Sequence, residues 1–189
     1  MMGYALASAA RDLGMKVTLI SGPVTLPCPK GVELVKIETA LEMEVAMQAH
    51  FAVANLIIMC AAVCDHRPAE RYETKIRKDH FPQNITFVKN PDILKNLGSK
   101  KNDCQVLVGF AAETHDVLVS AKKKLKEKKL DWIVANDVSK CEMGFSSQQN
   151  EVTLIRSDGL QMNFPLSEKS KIAEDILKVF YTSCQEKAH

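Results

Sequence analysis

The chain has 189 residues, of which 46% are hydrophobic and 25% are charged, and its formal net charge at pH 7 is +2. This composition is that of a globular protein with one sizeable core. The small net charge gives no bulk electrostatic reason to expect a nucleic-acid partner, so an anionic ligand must be met locally. There is no long apolar run and no recognisable signal peptide. We therefore expect a cytoplasmic protein that binds neither nucleic acid nor membrane.

The cysteines give no metal or redox motif. Six are present at irregular spacings without a C-x-x-C pair, and Cys60 and Cys64 are the two that lie nearest in sequence. Such spacing indicates neither a zinc site nor a dithiol redox centre. Packing at the end of a strand is the ordinary role for this pair, and we expect the thiols to be reduced.

Helix and strand patterns alternate along the first part of the chain. Small and apolar residues on one face predict a helix at 3–13, and short apolar runs predict strands at 16–20 and 32–37. Thr39 and Glu42 form a capping box that opens the next helix. One face of that helix carries the apolar residues Ala40, Met43, Met47 and Phe51.

The middle of the chain continues the alternation. Residues 54–63 form an uninterrupted apolar run, typical of a strand that is buried on both faces of a parallel sheet. A helix is predicted after Pro91, and strands at 105–110 and 130–136 flank a helix at 114–129. The inward face of the helix at 114–129 is predicted to carry Val117, Leu118, Ala121 and Leu125. The fold class is therefore α/β, with a Rossmann-like, doubly wound, mostly parallel sheet.

The last part of the chain predicts an antiparallel edge and a closing helix. A hairpin covers residues 151–164, with a Ser-Asp-Gly turn at its centre. An amphipathic helix follows at about 167–181, and its buried stripe is Ile172, Ile176, Leu177 and Phe180. We expect a single domain over residues 1–189.

The beginning of the sequence departs from the usual nucleotide-binding pattern. A doubly wound domain normally opens with a strand and a glycine-rich turn that holds phosphates. This sequence opens at Met1, Met2 and Gly3, which already belong to the first predicted helix. We therefore expect the sequence to be a fragment of a longer protein.

The segments that follow the predicted strands are the candidate site, because ligands of open α/β sheets bind beyond the carboxyl ends of the strands. These segments read AAVCDHR, KNPDIL, GFAAET and ANDVSKCEMGF. Their small residues allow a ligand to approach the backbone, and their polar groups are Asp65, Asp92, Glu113, Asn136 and Asp137. Taken singly, Asp65 also fits a cap, Phe110 a core residue, and Asn136 with Asp137 an Asx-turn.

The lysines have two possible roles. The run at 121–130 is lysine-rich, which fits a solvated helix face or a nucleic-acid patch, and the first is the ordinary role. Within it, Lys124 and Lys128 are four residues apart and lie on one side of the helix. Lys75 instead lies in a polar loop, from which a mobile cation could close over an anionic ligand.

The ordered set of motifs resembles one family. The chain contains MGYALASAA, VTLISGPVTLP, ETALEM, CAAVCDHRP, KIRK, VKNPDIL, VGFAAET, ANDVS and MGFSSQQN. In this order and spacing they are similar to the phosphopantothenoylcysteine synthetase family, the CoaB ligases of coenzyme A biosynthesis. The similarity runs from Met2 to the last helix.

The resemblance implies a dimeric ligase that joins 4'-phosphopantothenate to L-cysteine. In the bacterial type, CTP with Mg2+ activates the carboxylate as an acyl-cytidylate and pyrophosphate is released, after which the cysteine amine displaces CMP. Relatives from eukaryotes tend to use ATP, but GFAAET and ANDVS favour CTP here. A flavin-dependent phosphopantothenoylcysteine decarboxylase is often fused to or associated with this domain.

The resemblance also implies roles for particular residues. Lys75 matches the lysine of a flap at about 66–84, where it would stabilise charge on the reacting carboxylate and the α-phosphate and would contact the nucleotide. Ala61 and Ala62 match substrate-binding positions, and His66 replaces a usual aromatic residue. The remaining matches are to nucleotide-contacting positions, and they are Met59, Cys60, Ala61, Asp65, Pro91, Asp92, Ile93, Leu94, Phe110, Lys124 and Lys128. No position matches a metal ligand.

One departure from the family leaves two other functions open. The family's first strand, its glycine-rich loop and an asparagine associated with amide formation would precede Met2, so we expect this polypeptide alone to bind CTP weakly and to turn over poorly. A non-catalytic nucleotide-binding or regulatory module of the same fold is the alternative. An NAD-dependent dehydrogenase rests on fold analogy alone, because the sequence lacks G-x-G-x-x-G.

Overall fold

A computed structural model describes residues 1–72, 74–78, 81–113, 117–137 and 149–188, without the side chains of Glu113 and Asp137. The described residues form five helices and nine strands. The helices are α1 (Met2–Asp12), α2 (Ala40–Phe51), α3 (Ile93–Lys100), α4 (Val117–Glu127) and α5 (Lys169–Lys187). The strands are β1 (Thr18–Ser21), β2 (Glu33–Lys36), β3 (Leu56–Met59), β4 (His66–Pro68), β5 (Phe87–Lys89), β6 (Val106–Glu113), β7 (Trp132–Asp137), β8 (Gln149–Arg156) and β9 (Gln161–Glu168).

The main sheet has five strands in the order β3-β6-β7-β8-β9. β3, β6 and β7 are parallel, whereas β8 and β9 form an antiparallel hairpin at one edge. β1 and β2 pair in parallel as a separate two-stranded sheet, and β4 pairs with β5 as an antiparallel ribbon. Within the described ranges, no strand bridges β1 and β3. The expectation of a further strand before Met2 stays a prediction.

Apolar side chains cover both faces of the main sheet. On one face, α1 and α5 pack against alternate residues of the central strands, such as Val108 and Val134, and enclose Trp132 and Phe180. On the other face, α2, α3 and α4 pack against residues such as Leu107 and Ile133. The result is the three-layer arrangement that an alternating α/β sequence predicts, and the predicted fold class is confirmed.

Most of the predicted helical faces are confirmed. The α5 stripe of Ile172, Ile176, Leu177 and Phe180 is fully buried. In α4, Ala121 and Leu125 are buried, but the prediction for Leu118 is wrong, because its side chain is 43% exposed. Residues 114–116 of that predicted helix lie outside the described residues.

The strand ends differ from the prediction in two places. GFAAET was expected to follow a strand, yet β6 continues to Glu113 and contains its first five residues. The polar segment after residue 65 also contains two strands that we did not predict, β4 and β5. Each has three residues and β4 contains a proline, so the period-2 pattern that reveals longer strands is missing.

Candidate functional site

A cavity of about 1180 Å³ opens at the carboxyl ends of β1 and β3. Its walls come from the first turns of α1 and α2, the segment after β3, the last residues of β6 and the first residue of α5. This is the position at which an open α/β sheet binds its ligands. The cavity is therefore the candidate site.

The first turn of α1 lies close against the end of β3. A Cβ atom at Gly3 would stand 2.9 Å from Cys60 Sγ, so only glycine permits this approach. The next residue, Tyr4, donates a hydrogen bond to the buried Ser21 Oγ at 3.0 Å, which ties α1 to the end of β1. The two contacts hold the backbone N–H groups of the first turn at the cavity wall.

The helix starts at the cavity differ in how their N–H groups are satisfied. In α2, Thr39 Oγ1 accepts from Glu42 N at 3.1 Å and Glu42 Oε2 accepts from Glu38 N at 2.8 Å, so the predicted capping box is present, with the carboxylate reaching one residue further back. The hydrogen bonds that the Glu42 carboxylate accepts from Glu38 N and from Thr39 Oγ1, the latter at 3.0 Å, hold the pKa of Glu42 below its usual value. No described side chain caps α1 or α5. Their first turns keep the partial positive charge that favours an anionic or polar ligand.

The segment after β3 supplies small residues to the cavity. Cys60, Ala61 and Ala62 line it, and all three were predicted to contact the nucleotide or the substrate. Burial raises the pKa of the Cys60 thiol. The thiol is consequently protonated and packed in the core, and it does not have the properties of a nucleophile. Met59 and Asp65 do not contribute to the cavity wall.

The β4–β5 ribbon forms the base of the predicted flap. His66 and Arg67 line the cavity, and Arg67 Nη1 donates to the Lys89 carbonyl and to Asn90 Oδ1. Asn90 Nδ2 in turn donates to the Cys64 carbonyl at 2.8 Å, which fixes the ribbon to the end of β3. Lys75, beyond the ribbon, is exposed and does not line the cavity.

Several predicted nucleotide contacts lie outside the cavity wall, at the start of α3. Asp92 caps this helix by accepting from Lys95 N at 3.1 Å and pairs with Lys128 Nζ at 2.9 Å. Burial alone would raise the pKa of Asp92, but the hydrogen bonds from Lys128 and from Lys95 N, together with the charges of the two lysines, outweigh burial and lower the pKa. Ile93 belongs to the core. In the described residues, Pro91, Leu94, Lys124 and Lys128 do not line the cavity either.

The far wall of the cavity is formed by the ends of β6 and β7 and the start of β8. Phe110, which packs partly against the core, and Ala112 lie there beside Asn136, which pairs in register with Ala112. Asn150 and Lys169 complete this wall. Asn136 was among the candidate polar groups, but Asn150 was counted only within a motif and Lys169 was not singled out.

The described residues contain no group of three or more His, Cys, Asp or Glu side chains that could hold a metal ion. None of the described helices is both long and apolar enough to span a bilayer.

The chain matches the family described as the DNA/pantothenate metabolism flavoprotein C-terminal domain over residues 1–182. The chain belongs to this family. The family resemblance of the sequence motifs is therefore confirmed at the level of this domain family. The matched residues include all those that line the cavity.

Two curated relatives support this family assignment. The chain is 46% identical over 183 residues to the coenzyme A biosynthesis bifunctional protein CoaBC of Vibrio vulnificus, covering 96% of this chain and 45% of the relative. It is 42% identical over 178 residues to CoaBC of Bacillus subtilis, covering 94% of this chain and 44% of the relative. The chain thus spans less than half the length of these curated relatives.

A solved structure shows the same fold at recognisable sequence identity. The crystal structure of the C-terminal domain of CoaBC superimposes with a TM-score of 0.82 and is 38% identical. The alignment covers 98% of this chain and 83% of that one. The cavity therefore lies in a domain of the CoaBC C-terminal type.

Proposed function

We propose that the chain is a ligase domain of coenzyme A biosynthesis that joins 4'-phosphopantothenate to L-cysteine through an acyl-cytidylate made from CTP. The observation that carries this proposal is the family match over residues 1–182 of a chain whose cavity places Ala61 and Ala62 beside the open first turn of α1. CoaBC relatives are bifunctional, so a decarboxylase fused to or associated with this domain is part of the proposal.

The proposed reaction has two steps. A carboxylate oxygen of phosphopantothenate attacks the α-phosphorus of CTP, forming an O–P bond while the bond to pyrophosphate breaks. The cysteine amine then attacks the acyl carbon, a C–N bond forms, CMP leaves with the electron pair of the broken C–O bond, and the proton lost by the nitrogen passes to the departing phosphate or to solvent. Both steps develop negative charge on oxygen, so the protein must supply cations and N–H donors.

The cavity offers such donors. The uncapped first turns of α1 and α5 present backbone N–H groups to it, and small residues at Ala61 and Ala62 leave the backbone accessible. Loss of one donor that binds the developing oxyanion costs about 3 kcal/mol in the transition state. Since no metal-binding cluster is found among the described residues, we propose that Mg2+ arrives on the nucleotide phosphates.

We assign Lys75 to the transition state of the first step. Its side chain is exposed and outside the cavity wall, so this role requires the segment between β4 and β5 to move toward α1. The ribbon at the base of the segment is already part of the cavity, which gives such a movement a fixed hinge. Closure would also exclude the water that hydrolyses an acyl-cytidylate.

The nucleotide-contacting residues on the α3 side, including Asp92, Lys124 and Lys128, remain part of the proposal. They lie outside the cavity wall, so the proposal requires a ligand that extends from the cavity along the carboxyl edge of the sheet. Assembly as a homodimer and a cytoplasmic location are proposed with the family.

The test is release of pyrophosphate that requires both phosphopantothenate and CTP. Product formation that needs cysteine supports the ligase, whereas nucleotide binding without pyrophosphate release supports the non-catalytic module. Calorimetric titration of CTP and ATP with Mg2+ tests the choice of nucleotide. Equal or tighter binding of ATP would reject the CTP-dependent type.

A further inference from the structure

Two buried amide oxygens in the cavity have no hydrogen-bond donor. Asn136 Oδ1 and Asn150 Oδ1 are both buried and neither accepts a hydrogen bond from any described residue. Asn150 is only 4% exposed. A buried acceptor without a donor is unfavourable and rare, so each case requires an explanation.

The two oxygens share one wall of the cavity. Alternation along β7 places Asn136 on the same face as Val134, toward α1 and α5. Asn150 is the second residue of the neighbouring strand β8, and the pairing of Ala135 with Thr153 puts it two residues beyond the position opposite Asn136. Both residues line the cavity together with Lys169. The two residues therefore belong to a wall that a ligand can contact.

We propose that Asn136 and Asn150 form an acceptor pair that binds the primary amine of the amino-acid substrate. This inference rests on the proposed function and deepens it, since it gives the second step an amine subsite. Asn136 lies about two strand spacings, or roughly 10 Å, from the end of β3, where Ala61 and Ala62 lie. For the amine to attack, the acyl carbon must lie beside this pair, with the rest of the acyl substrate extending toward Ala61 and Ala62.

Neutral acceptors suit an amine that must attack as a nucleophile. An amide oxygen accepts an N–H hydrogen bond but, unlike a carboxylate, does not hold the amine in its protonated form. The start of α5, which no described side chain caps, gives this wall a partial positive charge, and this charge disfavours a bound ammonium ion. The subsite therefore favours the neutral amine.

The test is NMR titration of the 189-residue chain with L-cysteine and with 3-mercaptopropionate, which lacks the amine. We expect the wild type to prefer L-cysteine and Asn150→Leu to weaken L-cysteine binding at least 10-fold without weakening the analogue. Asn150→Asp, which keeps an acceptor, should retain the preference. Asn163→Leu is the matched control, because Asn163 Oδ1 accepts from Thr153 Oγ1 at 3.0 Å on the exposed hairpin.

Thermal stability separates this role from a structural one. Removing an unsatisfied acceptor should leave the Tm of Asn150→Leu unchanged or raise it by roughly 2–4 °C. A fall in the Tm of Asn150→Leu would overturn the inference. Equal binding of L-cysteine and its analogue by the wild type would also overturn it, and so would binding of neither. Failure of the proposed function is seen separately, as absent pyrophosphate release by the wild type in the presence of phosphopantothenate and CTP.

Discussion

Asp131 joins three separate elements at the end of the sheet opposite the cavity. Its carboxylate accepts hydrogen bonds from Lys187 Nζ at 2.7 Å, from Lys101 Nζ at 2.5 Å and from Leu107 N at 2.8 Å. Lys101 follows α3 and Lys187 ends α5, so one carboxylate anchors both helices to the amino end of β6. We expect Asp131→Asn to destabilise the fold.

The magnitude follows from burial. The side chain of Asp131 is 14% exposed, while those of Lys101 and Lys187 are 17% and 28% exposed. Removing one partner of a buried ion pair costs about 3–5 kcal/mol, and we take about 3 kcal/mol because the lysines are partly solvated. For a chain of this length, that lowers the Tm by roughly 6–12 °C.

The assay is urea unfolding of Asp131→Asn against the wild type, with the slope of the free energy on urea concentration compared in both. Asp158→Asn is the control, because Asp158 pairs with Arg156 at 2.7 Å but its side chain is 55% exposed. An exposed pair contributes at most about 1 kcal/mol. A loss below about 1 kcal/mol for Asp131→Asn would refute the reasoning.

The contribution of Asp131 should depend on pH. Burial alone would raise its pKa, but the hydrogen bonds from Lys101 and Lys187 outweigh burial and lower the pKa below the usual value. A lowered pKa stabilises the fold above the unfolded value near about 4, and this stabilisation disappears as the pH falls through the folded value. The difference between the wild type and Asp131→Asn should be constant at pH 6–8 and shrink in acid, as measured by unfolding at a series of pH values.

Three further predictions concern other sites. Gly98→Ala should lower the free energy of unfolding by about 1–3 kcal/mol, since a Cβ there would collide with the Lys128 carbonyl oxygen; an unchanged urea midpoint would contradict this close approach. Lys75→Gln should slow pyrophosphate release much more than it weakens CTP binding, and equal losses in kinetics and calorimetry would make Lys75 a plain binding residue. Burial raises the pKa of Cys184 to about 11, so mass spectrometry should show iodoacetamide labelling Cys184 at least tenfold more slowly than the exposed Cys104 at pH 8; comparable rates would contradict the burial of Cys184.

The local patterns of the sequence were sufficient for the architecture. A helix reveals its buried face by a period of 3.6, so the α5 stripe from Ile172 to Phe180 was predictable from residue types alone. The capping box at Thr39 was also predictable, because its partners are three residues apart. The prediction that Leu118 is buried failed because an apolar residue at the margin of a helical stripe can point either way.

Part of the site could also be predicted. The rule that ligands bind at the carboxyl ends of strands selected the segment after β3 and Phe110, and both line the cavity. The same rule selected Asp92, yet it cannot distinguish a ligand contact from a helix cap, and the structure shows Asp92 capping α3. Lys75 lies outside the cavity wall, and its role stays a prediction.

The sequence by itself determined the alternation of helices and strands, the apolar faces and the motifs that carry the family resemblance, because each depends on residues near one another in the chain. Tertiary structure decided which distant residues meet. It brought the start of α1 against Cys60, joined Asp131 to Lys187 across 56 positions, and left the oxygens of Asn136 and Asn150 buried without a donor among the described residues. Burial and hydrogen bonding between remote segments are properties of the packed chain, and no local pattern encodes them.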